Sequence, residues 1–127
     1  MAQILLEIQK KWPEVHFVYR QSNHEGELID WLQSINGQFD SAVSHQPSDF
    51  GGVVLNAGGY SHTSVALRDA VEDCEVPVVE VHISDIRKRE AFRQVSLLTD
   101  VCAHSIIGHG TDGYAEAVSW ILHNSKI

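Results

Sequence analysis

Four short apolar runs, separated by helix-patterned segments, limit what this chain can fold into more than any other feature. They are Val15 to Tyr19, Gly52 to Asn56, Val76 to Ile83 and Ser105 to Gly108. Runs of this length, bounded by Gly, Pro or Asn, read as strands buried on both faces of a parallel sheet. The segments around them read as helices. Met1 to Lys11 puts Ile4, Leu5 and Ile8 on one stripe. Ser22-x-x-Glu25 is a capping-box signal, followed by Leu28, Trp31, Leu32 and Ile35 at helical spacing. Ser61 to Asp73 carries Val65, Ala66, Ala70 and Val71, and Gly113 to His123 carries Tyr114, Ala117, Val118, Ile121 and Leu122. Alternation of this kind predicts a three-layer α/β/α domain spanning residues 1–127, with helices on both faces of the sheet. The helix at the front is out of place, because open α/β folds of this size begin with a strand that sits near the middle of the sheet. The pattern therefore leads us to expect that a first, central strand is absent from this chain.

Charge narrows the function. Nine basic against 17 acidic residues in 127 give a formal net charge of −8, so the chain has no means of attracting a phosphate backbone. Nucleic acid is excluded as an expected partner. No apolar run approaches the roughly 18 residues of a membrane span, and the start does not read as a signal peptide. The expectation is a cytoplasmic protein that uses no membrane. Cys74 and Cys102 lack a C-x-x-C spacing and read as buried, reduced thiols. The eight histidines show no H-x-x-x-H or H-E-x-x-H spacing, so no metal is expected, and no Ser or Cys sits in a G-x-S-x-G elbow.

In parallel α/β folds, ligands bind beyond the carboxyl ends of the strands. There the sequence places Gln21 to Glu25, then Asn56, Gly58, Gly59, Tyr60, Ser61, His62 and Thr63, then Glu80 to Asp85, and finally Gly108 to Gly110. Histidines recur along this edge beside amides and hydroxyls, which suits a small, oxygen-rich ligand. Glu80 and His82 are the most telling pair. Strand alternation puts both on one face, with Val79, Val81 and Ile83 on the other. A carboxylate that holds one imidazole nitrogen favours the protonated ring and leaves the other nitrogen to deliver a proton. A purely structural Glu–His pair satisfies the same pattern, and residue types alone leave both open. Asn56 and His62 flank a two-glycine turn and a helix start near Ser61, which is either an anion site or an ordinary turn and cap. Arg87, Lys88, Arg89 and Arg93 follow on a short predicted helix, and one or two of them are expected at a ligand.

These residues resemble a known family, the type II 3-dehydroquinate dehydratases. Residues 21–32 read QSNHEGELIDWL, matching the family's QSNHEGELID segment. Residues 55–70, LNAGGYSHTSVALRDA, match its NPGAYTHTSVALRDA block, and residues 77–86, PVVEVHISDI, with Arg89-Glu90-Ala91-Phe92-Arg93, match its EVHISN…REEFR block. Gly108-x-Gly110 and Gly113-Tyr114 fit its closing turn and helix. The matches run in order from about residue 5 to residue 122.

The resemblance implies a flavodoxin-like fold and the reversible loss of water from 3-dehydroquinate, through an enolate, to 3-dehydroshikimate. It implies no metal and no cofactor, a role in shikimate or quinate metabolism, and a dodecamer of four trimers. By position, His82 matches the general acid and Glu80 the residue that orients it. Asn56 and His62 match ligand-binding positions, Ile83 and Ser84 the backbone pair on the substrate carboxylate, and Arg93 the arginine on its hydroxyls. Asp69 matches an aspartate presented to a neighbouring subunit's site.

Departures accompany the match. Ala57 stands where the family has proline, and Asp85 where it has asparagine. The family opens with a strand ending in N-G-P-N-L-N-L-L-G and a lid bearing an arginine and the tyrosine that removes the substrate proton. Neither has a counterpart here, and Tyr19, Tyr60 and Tyr114 fall at other motif positions. A dehydroquinase-like binding scaffold without turnover is therefore the alternative function. A phosphoacceptor signalling domain is disfavoured, because its acidic cluster after the first strand is missing.

Overall fold

The computed structural model describes residues 1–36 and 50–124. Its centre is a parallel sheet of three strands, β1 (Val53–Leu55), β2 (Val78–His82) and β3 (His104–Ile107), in the order β1-β2-β3. Among the described residues four helices accompany them: α1 (Ala2–Lys11), α2 (Glu25–Ile35), α3 (Val65–Asp73) and α4 (Asp112–Asn124). Short 3₁₀ turns at Gly58–His62, Ile86–Lys88, Ala91–Arg93 and Thr99–Val101 shape the loops between them.

Strand β2 organises the molecule because, among the described strands, it alone has a neighbour on each side, and all five of its residues are buried. Its register sets Leu55 opposite Glu80 on one side, and Ser105 opposite Glu80 and Ile107 opposite His82 on the other. The period of two then sorts the side chains between two apolar layers. Val78 packs with Leu32, Leu55, Leu67, Ala70, Val71 and Leu98 beneath α2 and α3. Val79 and Val81 are fully buried against Ile106, Ala117 and Ile121 beneath α4. Each buried valine contributes about 1.5–3 kcal/mol relative to exposure. Gly113 lets α4 approach this closely, since a Cβ there would meet Val81 Cγ1 at 3.1 Å.

Both faces of the sheet are thus covered, as the alternation predicts, but six local expectations need correction. Val15 to Tyr19 is not a strand. Its side chains alternate, with Val15 and Phe17 half-buried and His16 and Val18 exposed, yet no strand among the described residues pairs with it. Alternation supplies a face, whereas a ladder needs a neighbour. Helix α3 begins at Val65 rather than near Ser61, because the two-glycine turn winds residues 58–62 into a 3₁₀ segment first. Ser64 is the cap instead, its hydroxyl accepting from Leu67 N at 2.8 Å. Ser22 does not form its box with Glu25; it accepts from His24 N at 2.9 Å and donates to Glu27 at 2.7 Å. The stretch carrying the four basic residues is two separate 3₁₀ turns, not one helix. Both cysteines are free thiols, half-buried rather than buried. Leu122, placed on the inner stripe of α4, is 40% exposed.

Candidate active site

The carboxyl ends of β1 and β2 open into a cavity of about 170 Å³ lined by ten residues, among them Asn56, His62, His82, Ile83, Ser84 and Arg93. The turn that closes one side requires glycine at Gly58, whose φ is +57°. Asn56 is clamped at both ends of its amide. Its Oδ1 accepts from Gly58 N at 3.1 Å, and its Nδ2 donates to the Tyr114 hydroxyl at 2.7 Å. Tyr60 donates to the Asn23 carbonyl at 2.7 Å and so ties the 21–25 loop to the glycine turn.

His62 lies 2.7 Å through Nδ1 from the Val95 carbonyl. A carbonyl only accepts, so Nδ1 carries the hydrogen and Nε2 is the nitrogen left for a ligand. Its ring centre is 6.2 Å from that of His82. Across the cavity Arg89 donates to Ser84 Oγ at 3.2 Å. Arg93 sits 3.1 Å from Glu90 as an ion pair, without the alignment of a hydrogen bond. Arg87 points elsewhere and makes a two-pronged pair with Asp85, whose carboxyl that guanidinium holds below its usual range.

The chemistry centres on Glu80, which is 1% exposed. Its Oε2 lies 2.7 Å from His82 Nε2 and 2.5 Å from Ser96 Oγ, and its Oε1 lies 2.6 Å from both Thr99 Oγ1 and Ser105 Oγ. Burial is the largest single influence on its carboxyl and raises it. The bonds from His82, Ser105, Ser96 and Thr99 together outweigh burial and bring it down from 4.5 to about 2. Glu80 is therefore a carboxylate at neutral pH. It accepts from His82 Nε2–H, which leaves Nδ1 as the nitrogen turned away from the carboxylate. The Cys102 thiol beside it is pushed up to about 12, first by burial and then by the Glu80 charge, and stays neutral.

The structure thus brings together Glu80, His82, Asn56, His62, Ile83, Ser84 and Arg93. Asp69 stands apart, exposed on α3 and outside the cavity of its own chain. His24 and His109, expected along the same edge, do not line the cavity. His109 turns instead to Glu116 on α4, at 2.6 Å. Residue types alone did not single out Tyr114, Ser96, Thr99 or Ser105. The register opposite Glu80 identifies Ser105, whereas the others reach the site only through the folding of loops. Among the described residues no group of three or more His, Cys, Asp or Glu side chains is placed to hold a metal ion.

Fold and cavity together define a flavodoxin-like α/β domain with a buried glutamate–histidine pair at the carboxyl edge of its sheet. The family model described as Dehydroquinase class II matches residues 1–122. The chain is 43% identical over 119 residues to a 3-dehydroquinate dehydratase of an Exiguobacterium species, a match covering 93% of this chain and 74% of that protein. It is 48% identical over 101 residues to the 3-dehydroquinate dehydratase of Acidovorax ebreus, covering 80% of this chain and 64% of that one. The solved type II dehydroquinase of Butyrivibrio crossotus superposes with a TM-score of 0.82 at 33% identity, over 95% of this chain and 77% of that chain. The chain belongs to the class II dehydroquinase family.

Proposed function

We propose that this chain is a 3-dehydroquinate dehydratase, working on the reversible conversion of 3-dehydroquinate to 3-dehydroshikimate in shikimate or quinate metabolism. The observation that carries the reading is the buried Glu80 carboxylate bonded to His82 at 2.7 Å, at the edge of a cavity lined by amide, imidazole and guanidinium groups.

The substrate is a ring bearing a carboxylate, a carbonyl and several hydroxyls, and the reaction runs through an enolate. His82 protonates the departing hydroxyl from Nδ1, while Glu80 holds Nε2 and stabilises the charged ring. Ile83 and Ser84, past the end of β2, hold the carboxylate, and Arg93 takes the hydroxyls. Asn56, fixed at both ends, and His62 Nε2 orient the ring. Removal of the proton beside the carbonyl falls to a base that meets the cavity from outside these residues; in the family it is a tyrosine of the lid. The three tyrosines of this chain do not line the cavity, and their hydroxyls are engaged with Gln21, Asn23 and Asn56.

Asp69 serves a neighbouring subunit, which makes the trimer the working unit of a dodecamer, in the cytoplasm. Its exposure on α3, away from its own cavity, supports this reading. No described helix is long and apolar enough to cross a membrane. The test is appearance of the conjugated enone chromophore of dehydroshikimate when the protein meets 3-dehydroquinate. Mixed oligomers of Asp69→Ala and His82→Asn chains should regain activity that neither has alone. Binding of 3-dehydroquinate with no product at any protein concentration would leave a scaffold in place of an enzyme.

A further inference from the structure

The four donors on Glu80 are more than a buried carboxylate needs to hold one histidine. An ionised carboxylate offers about four acceptor positions, and here all are filled: one by His82, one by Ser96, and two on the far oxygen by Thr99 and Ser105. The hydroxyls come from three separate places. Ser105 stands opposite Glu80 in the β2–β3 register, Thr99 opens the 99–101 turn, and Ser96 lies in the loop before it. Two of the three touch only the oxygen that does not meet His82. Their effect on the acid must therefore pass through the carboxylate.

We propose that Ser96, Thr99 and Ser105 are positioning residues that act through Glu80 to fix where the pair's shared proton resides, making His82 a charged rather than a neutral donor. With the cage in place, the negative charge stays on Glu80 and an added proton completes an imidazolium. Without it, a buried carboxylate is costly and Glu80 takes the proton itself. The carboxylic acid then donates to His82 Nε2, and the ring becomes the neutral Nδ1–H tautomer. The same nitrogen still carries hydrogen, but a neutral imidazole is a far weaker acid than imidazolium. The other groups facing the pair do not remove this dependence. Cys102 is neutral, the His62 ring is 6.2 Å away, and Arg89 and Arg93 line the cavity without bonding to Glu80.

The site and its pair do not depend on the dehydratase reading, but the kinetic part of the test does, so two readouts are needed. Nitrogen-15 NMR of the histidine rings in the full chain reports tautomer and charge without turnover. Wild-type His82 should show Nε2–H when neutral and a doubly protonated ring on acidification. In a Thr99→Val, Ser105→Ala double variant, a substantial fraction should remain neutral and carry Nδ1–H on acidification. Its kcat on 3-dehydroquinate should fall about tenfold, less than the about 10²–10⁴-fold of losing the acid outright. KM should stay within about twofold, since ligand contacts are untouched. Thr99→Ser should keep the wild-type signature and rate. An unchanged ring signature in the double variant overturns the proposal, whatever its melting temperature. Should that variant not fold, Ser96→Ala removes a single bond and is read the same way. If wild-type protein gives no turnover while the ring signatures shift as expected, the dehydratase reading falls and the cage stands.

Discussion

Among the described residues, two histidine–glutamate pairs have nearly equal length and opposite character. His82 and Glu80 meet at 2.7 Å with side chains 6% and 1% exposed. His109 and Glu116 meet at 2.6 Å with side chains 55% and 48% exposed. In water the second pair competes with solvent and salt at every moment, and exposed pairs of this kind contribute about 0–1 kcal/mol. The first pair is fixed by strand geometry, shielded from water and supplemented by three hydroxyls. The contrast teaches that a short distance does not make an acid–base device. The surroundings decide whether charge stays on the carboxylate and which imidazole nitrogen is free. The outer pair lies in a broad groove with His104, stacked on Trp120 at 5.1 Å, and His123, a histidine-rich surface without a buried carboxylate at its centre.

The comparison is broken most directly by removing each imidazole. His82→Asn should lower kcat by about 10²–10⁴-fold with KM little changed. His109→Asn should leave kcat within about twofold of wild type, a change too small to mark a group in the reaction. Equal losses from the two substitutions, measured by initial rates on 3-dehydroquinate, would falsify the assignment of the acid.

Stability should separate the pairs next. Glu80→Ala strands an imidazole and three hydroxyls in a buried site and should cost about 3–5 kcal/mol. Glu116→Ala should cost no more than about 1 kcal/mol. Urea unfolding of both variants checks this, and comparable midpoints would mean that the Glu80 cage adds nothing net to folding.

The pH dependence sharpens the same contrast. The Glu80 carboxyl sits at about 2 in the folded chain against an ordinary 4.5. A lowered value in the folded state favours folding above pH 4.5, and that contribution is lost as pH falls from 4.5 towards 2. At about 1.4 kcal/mol per pH unit, it amounts to about 3 kcal/mol. Wild-type stability should therefore drop more steeply over this window than that of Glu80→Gln, in which nothing titrates at position 80. Parallel slopes would show that Glu80 is not the group responsible.

The smallest effect belongs to the outer pair. Raising salt from about 0.1 to 1 M should erase any contribution of Glu116, so that Glu116→Gln and wild type unfold together within about 0.5 kcal/mol. The buried pair should be nearly indifferent to the same change. A salt-sensitive difference between Glu80→Gln and wild type would indicate that water reaches the Glu80 cage.

How much of this was legible in the chain follows from the range of the forces involved. Glu80 and His82 declare themselves because a strand's period of two is local, and alternation alone places both on one face. Asn56, His62 and Arg93 could be placed near the site because parallel strands deliver their carboxyl ends to one edge. Ser105 needs the β2–β3 register, and Ser96 and Thr99 need the path of a loop through two 3₁₀ turns. Neither register nor loop path is written in local spacing. The same limit explains Val15 to Tyr19, whose pattern is that of a strand but whose hydrogen bonds depend on a neighbour elsewhere. It also explains α3, where competition between a glycine turn and the Ser64 cap moved the start by several residues.

By itself, then, the sequence determined what depends on near neighbours: the apolar stripes, the buried strand carrying two ionisable groups, and the ordered motifs of a dehydroquinase. The tertiary structure decided what depends on distant residues meeting. It closed four donors around one carboxylate, left Asp69 outside its own cavity, and sent His109 to an exposed partner instead of the site. The physical reason is that a buried charge is governed by every group within hydrogen-bond reach. Those groups lie 2 to 25 residues from Glu80 along the chain.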